Sequence, residues 1–197
     1  MKVTMKEKIV LLGKGNLIPE NELAKHAYRA MKWNVKWKRG LNEEFFRKHM
    51  RETELIFHPL WVAKLLVIAA RSPFPPKKIP MMGFVDAVSG YRGLLSAMPH
   101  MTEFEADPDK IASPVIHSEK VTKYIQDIQQ KQINRQYLLK KPKHQIVELC
   151  LLYLPLWKVN VQSNQLQEII YINANTGESE DYMSKQWKTE KWLKNII

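Results

Sequence analysis

Apolar residues recur along this chain with two periods. Across residues 19–38 a helical period sets Leu23, Ala27, Ala30, Met31 and Trp37 on one broad face. Lys25, Arg29, Lys32 and Lys36 fall on the other. Pro19 suits a first helical turn, Glu20 and Glu22 its positive end, and Gly40 a stop. A short strand over residues 8–12 precedes this helix and closes in a Gly13-Lys14-Gly15-Asn16 turn. Residues 53–70 then read as two strands divided at Pro59, which has no N–H for a ladder. A stiff, proline-rich loop covers residues 71–78, and residues 81–88 form a further strand.

The pattern restarts after residue 115. Val121, Ile125, Ile128 and Gln132 share a helical face with Tyr124 beside them, and Ser118 is the expected N-cap. Strands follow at residues 145–154, 156–162 and 166–174, the last two joined by a Ser163-Asn164-Gln165 turn. Residues 182–197 read as a helical tail. In it Lys185, Lys188, Lys191 and Lys194 form a drifting basic stripe, and Trp187, Trp192, Leu193 and Ile196 supply apolar surface.

The two halves echo each other. Leu55-Ile56-Phe57-His58-Pro59-Leu60-Trp61 and Leu151-Leu152-Tyr153-Leu154-Pro155-Leu156-Trp157 both run from an apolar segment into Pro-Leu-Trp. Each is followed by a turn phrase, Val85-Asp86-Ala87-Val88-Ser89-Gly90 and Ile172-Asn173-Ala174-Asn175-Thr176-Gly177. The expected fold class is α+β: two tandem repeats, each a helix packed on an antiparallel sheet of three or more strands, plus a C-terminal helical tail. The boundaries are residues 1–97 for the first repeat, 98–115 for an acidic, proline-rich linker, 116–181 for the second repeat and 182–197 for the tail.

Both turn phrases resemble those of PepSY-type repeats, which look like half a cystatin: a helix with an antiparallel sheet ending in an Asp-Ala-x-Thr-Gly-like turn. The chain departs from that pattern at Asn173, where Asp is preferred, and at Ser89, where Thr is preferred. The resemblance implies a non-catalytic binding or regulatory module of a kind often linked to peptidases or membrane-associated systems. Such modules are usually extracytoplasmic, and the short apolar run Ile9-Val10-Leu11-Leu12 is a departure, because it is too brief for an export signal.

Charge changes the picture of partners. The formal net charge is +11, concentrated around the first helix and continued by Arg47, Lys48, His49 and Arg51. This suits an anionic membrane surface or nucleic acid, although Glu103, Glu105, Asp107 and Asp109 of the linker offer an intramolecular alternative. The longest apolar stretch, residues 55–70, is broken by His58, Pro59 and Lys64 and falls short of a spanning helix. A cytoplasmic protein, peripheral to the membrane, is expected.

Candidate chemistry is sparse. Gly13-Lys14-Gly15 lacks the spacing of a phosphate loop, no Gly-x-Ser-x-Gly elbow is present, and the six histidines lack metal-site spacing. Cys150 lies in an apolar strand, a poor setting for an activated thiolate, whether or not His144 is its neighbour. Asp86 and Asn173 fit turns in which the side chain binds nearby backbone N–H groups. No cofactor or metal and no enzymatic activity are expected. The candidate binding residues are Lys32, Lys36, Arg47, Lys48, Lys185, Trp187, Lys188, Lys191 and Trp192. The expected partner is a protein or peptide, with nucleic acid bound through the basic first unit as the alternative.

Overall fold

A computed structural model of the chain describes residues 6–194. The fold is α+β, with a mixed seven-stranded sheet and several helices. By internal contacts the described chain forms two compact units, each assembled from three segments. Unit 1 comprises residues 6–58, 100–112 and 153–185; unit 2 comprises 59–99, 113–152 and 186–194. Contiguity and compactness thus divide the chain differently, because two strands are long enough to contribute to both units. These are β2 (Met50–Arg71) and β6 (Lys143–Gln162).

In unit 1, β1 (Glu7–Leu12) pairs antiparallel with β5 (Met101–Ala106) and meets β6 in parallel at Leu11 and Tyr153. β5 lies inside the stretch expected to be a linker. Its prolines and acids hide a two-residue alternation, in which Phe104 and Ala106 pack with Ile9, Leu11 and Phe57 while Glu103 and Glu105 face solvent. β6 forms a hairpin with β7 (Gln167–Asn173). Against Val159, Val161, Ile170 and Ile172 of this hairpin packs α1 (Leu23–Ala30), through Leu23, Ala24 and Ala27. The alanines leave room for close approach.

The single helix expected over residues 19–38 is two helices. Met31 and Lys32 are extended, and α2 (Trp33–Arg39) starts afresh and ends at the left-handed Gly40. At about 100° per residue, an unbroken helix would bring Trp37 near the Leu23 face and turn Val35 well away from it. The break reverses this: Val35 packs on the core, and Trp37 is 76% exposed. Trp37 is therefore not an interior residue. α3 (Glu43–His49) follows, capped by the Asn42 side chain, which accepts from Phe45 N at 2.8 Å, and buries Phe46.

In unit 2, β2 pairs antiparallel with β3 (Phe74–Asp86), which pairs with β4 (Arg92–Leu95). The expected break at Pro59 is absent, since proline's φ is compatible with extended backbone. The expected loop is reduced to a turn before Phe74. The helix α4 (Ser118–Ile128) buries Val121, Tyr124, Ile125 and Ile128 against Ala63, Leu65, Val67 and Val85. Its N-cap is His117, one residue before the expected Ser118. The tail is not one helix but two: α5 (Asp181–Gln186), which lies in unit 1 up to Lys185, and α6 (Lys191–Lys194), in unit 2. The expected contribution of Ile196 lies outside the described residues.

Each unit contains, within itself, a matching set of three hydrogen bonds. In unit 1, Ala174 N donates to Pro155 O at 2.9 Å, Ile18 N to Ala174 O at 2.8 Å, and the Trp157 indole to Ile18 O at 2.8 Å. In unit 2, Ala87 N donates to Pro59 O at 3.1 Å, Ile116 N to Ala87 O at 2.8 Å, and the Trp61 indole to Ile116 O at 2.7 Å. Ile18 leads into α1 and Ile116 into α4. Each helix therefore packs on the Pro-Leu-Trp strand from the other half of the sequence, not on the one that follows it. The periodicity could not reveal this, because apolar faces of like size are interchangeable between the two sets of strands.

Candidate binding surfaces

The basic residues of unit 1 differ in what holds them. Arg47 pairs with Glu43 and Lys48 with Glu44, both at 2.9 Å and one helical turn apart on the exposed face of α3. Such pairs are mostly self-neutralising and add little stability. Lys48 also holds the Glu44 carboxyl below its ordinary value. Lys36 is half-buried, with Nζ 4.3 Å from the Tyr28 ring centroid and donating to Arg29 O at 3.4 Å. Lys32 is exposed, immediately before α2. Next to it, Trp33 and Trp37 are 74% and 76% exposed, with ring centroids 5.5 Å apart.

Lys32 and Lys185 are brought together. Both line a cleft of about 210 Å³ between the start of α2, β7 and α5, which Glu168 and Asp181 also line. Lys185 donates to Asp181 at 2.6 Å, and that bond raises its pKa. The remaining tail candidates belong to unit 2. Lys188 and Lys191 are exposed. Trp187 and Trp192 are half-buried: the Trp187 indole donates to Asp86 Oδ2 at 2.7 Å, and the Trp192 indole to Gln186 Oε1 at 2.7 Å.

Arg92, buried at the start of β4, fixes this end of the chain. Its Nη1 donates to Gly90 O at 2.9 Å and to Trp192 O at 3.1 Å, and its Nε donates to Asp127 Oδ2 at 2.7 Å. Burial alone would raise the Asp127 carboxyl, but hydrogen bonds from Arg92 and Lys131 outweigh it and the pKa is lowered.

A second concavity in unit 2 escaped the sequence reading. On β2, Leu65 and Val67 are buried under α4, while Leu66 and Ile68 are only half-buried. Leu66, Pro80, Met81, Met82, Leu95 and Met98 line an open trough of about 540 Å³ with Lys64 at its edge. Its size is that of a ligand site, commonly about 300–1,000 Å³. Met98 is 61% exposed and Val147, also lining it, 59%. β4 lies beside the trough; among the described residues it pairs as a strand with β3 alone, at the end of the strand order, and its Arg92 carbonyl accepts from Gln132 Nε2 at 3.4 Å. The available signal was the run Leu65-Leu66-Val67-Ile68, apolar on both faces of a strand that a single helix covers on one side.

The turn residues behave as their sequence implies. Asp86 Oδ1 accepts from Val88 N at 2.8 Å and Ser89 N at 3.1 Å; Asn173 Oδ1 accepts from Asn175 N at 3.0 Å. Gly90 and Gly177 close these turns at positive φ. Cys150 is half-buried and donates to Val62 O at 3.5 Å, and burial raises its thiol pKa. His144 lies six residues earlier on the same strand, about 20 Å away at the usual strand rise, so the two form no dyad. Among the described residues, no group of three or more His, Cys, Asp or Glu side chains could hold a metal ion, and no helix is long and apolar enough to cross a membrane. No protein-family model, curated protein or solved structure matches this chain.

Proposed function

We propose that this chain is a non-catalytic binding module that recognises a protein or peptide partner at the cytoplasmic face of a membrane. The observation that carries this reading is the trough beside β4. An extended peptide adding a strand to an open sheet edge gains main-chain hydrogen bonds and places alternate side chains in neighbouring pockets. Met82 and Met98 suit the role, because unbranched thioethers re-pack around varied apolar side chains. The resemblance of Asp86–Gly90 and Asn173–Gly177 to PepSY-type turns agrees with a scaffold that holds a partner without transforming it. The matched contacts around Trp61 and Trp157 favour an origin by duplication of one helix-and-strand plan, with the helices exchanged between copies.

A display selection of extended peptides against the full chain tests this. Selected apolar peptides should bind the wild type and lose at least about tenfold in affinity to the Met82→Lys and Leu95→Glu variants. Failure to enrich any peptide, or equal binding by both variants, would refute the proposal.

A further inference from the structure

We infer that α2 is an anionic-membrane contact, with Trp33 and Trp37 as the inserting groups. This rests on a surface in unit 1 and is independent of the peptide trough.

Three observations carry it. The first is direction. On a helix advancing about 100° per residue, Trp33 and Trp37 lie one above the other, and Val35 lies about opposite their mean direction. Val35 packs on the unit 1 core, so the helix is fixed by one side and presents both indoles outward. The second is exposure. Single exposed hydrophobics are ordinary on protein surfaces, but two adjacent indoles, each about three-quarters exposed and 5.5 Å apart, form one continuous apolar knob. The third is charge. Lys25, Arg29 and Lys32 are exposed on α1 and at the start of α2, and Lys36 is half-exposed within α2.

An indole placed at headgroup depth keeps its N–H wet and its ring in apolar surroundings, which is why Trp collects at bilayer interfaces. Basic residues beside it are drawn to the negative surface potential of anionic lipid. A single-stranded nucleic acid is the competing anion, since bases stack on exposed indoles. The gap between these rings argues against it. A base inserted between them would need about twice the roughly 3.4 Å base spacing, and the centroids are 5.5 Å apart. The rings pack on each other and not as two separate platforms.

Co-sedimentation of the full chain with vesicles tests the inference. The wild type should pellet with phosphatidylcholine vesicles containing a minority of phosphatidylserine, and much less with pure phosphatidylcholine. The Trp33→Ala/Trp37→Ala variant should lose at least about tenfold in vesicle affinity, with an unchanged urea midpoint. The Arg29→Gln/Lys32→Gln variant should lose the preference for phosphatidylserine while retaining a residual, salt-insensitive association. Equal pelleting of wild type and the tryptophan variant would overturn the inference. So would a wild type that leaves vesicles alone yet binds a labelled single-stranded oligonucleotide through the same two tryptophans.

Discussion

Arg92 and Asp127 form a buried ion pair at 2.7 Å, with both side chains no more than 6% exposed. Removing one partner strands the other charge in a setting that cannot hydrate it. Asp127→Ala should therefore cost about 3–5 kcal/mol in unfolding free energy, measured by urea denaturation. The pH dependence follows from the lowered carboxyl pKa. The contribution of Asp127 is fully present above the ordinary carboxylate range and is lost as pH falls through the folded-state value. A variant as stable as the wild type at neutral pH would show that the pair does not hold unit 2 together.

Glu180 has the opposite sign. Burial raises its pKa, only partly offset by the hydrogen bond that Asn173 Nδ2 donates at 3.0 Å, and Glu178 raises it further. A carboxyl raised on folding contributes stability below its unfolded pKa and loses it as pH rises through the folded one. Glu180→Gln keeps an acceptor for Asn173 and removes the charge. It should raise the melting temperature at neutral pH, with the gain disappearing in acid below the ordinary carboxylate range. A gain that grows in acid would contradict this.

Trp61 and Trp157 hold matching positions, each donating to the carbonyl of an isoleucine that leads into a helix. Replacing either by Phe keeps a ring and removes the donor. Each substitution should cost about 1–3 kcal/mol with the urea m-value unchanged. A large loss at one position and none at the other would mean that the two contacts are not equivalent.

Gly177 and Gly40 both have positive φ but differ in their surroundings. A Cβ on Gly177 would run into the His26 ring, whose Nδ1 donates to Gly177 O at 3.0 Å; one on Gly40 would meet nothing within 4 Å. Gly40→Ala should cost only the roughly 1–2 kcal/mol of left-handed backbone. Gly177→Ala should cost clearly more, seen as a larger fall in melting temperature. Equal losses would show that the ring moves aside freely.

Much of this architecture could be read from residue order. The face of α4 was legible because Val121, Ile125 and Ile128 recur at helical spacing and all three are buried. The turns at Asp86 and Asn173 were legible because a short polar side chain and a glycine at fixed offsets define them locally. What failed was non-local. No periodicity says that α1 packs on β7 and not on the strands that follow it, since the apolar faces are alike. The break at Met31 and Lys32 has no Pro or Gly to announce it, so helical periodicity alone puts Trp37 on the wrong side. β5 was hidden by the prolines and acids of its stretch, although Phe104 and Ala106 alternate with Glu103 and Glu105. Of the nine candidate binding residues seven are Lys or Arg and two are Trp. Charge alone could not tell Arg47 and Lys48, engaged with glutamates one turn away, from Lys32, and it carried no signal for an apolar trough.

Entry of an extended peptide into the trough beside β4 can be followed by methyl NMR of methionine-labelled protein during titration with a display-selected peptide. The methyl signals of Met82 and Met98 should shift together and saturably, while those of Met31, Met50 and Met183, which belong to unit 1, stay in place. Shifts confined to the unit 1 methionines, or none at saturation, would show that the trough does not receive the peptide.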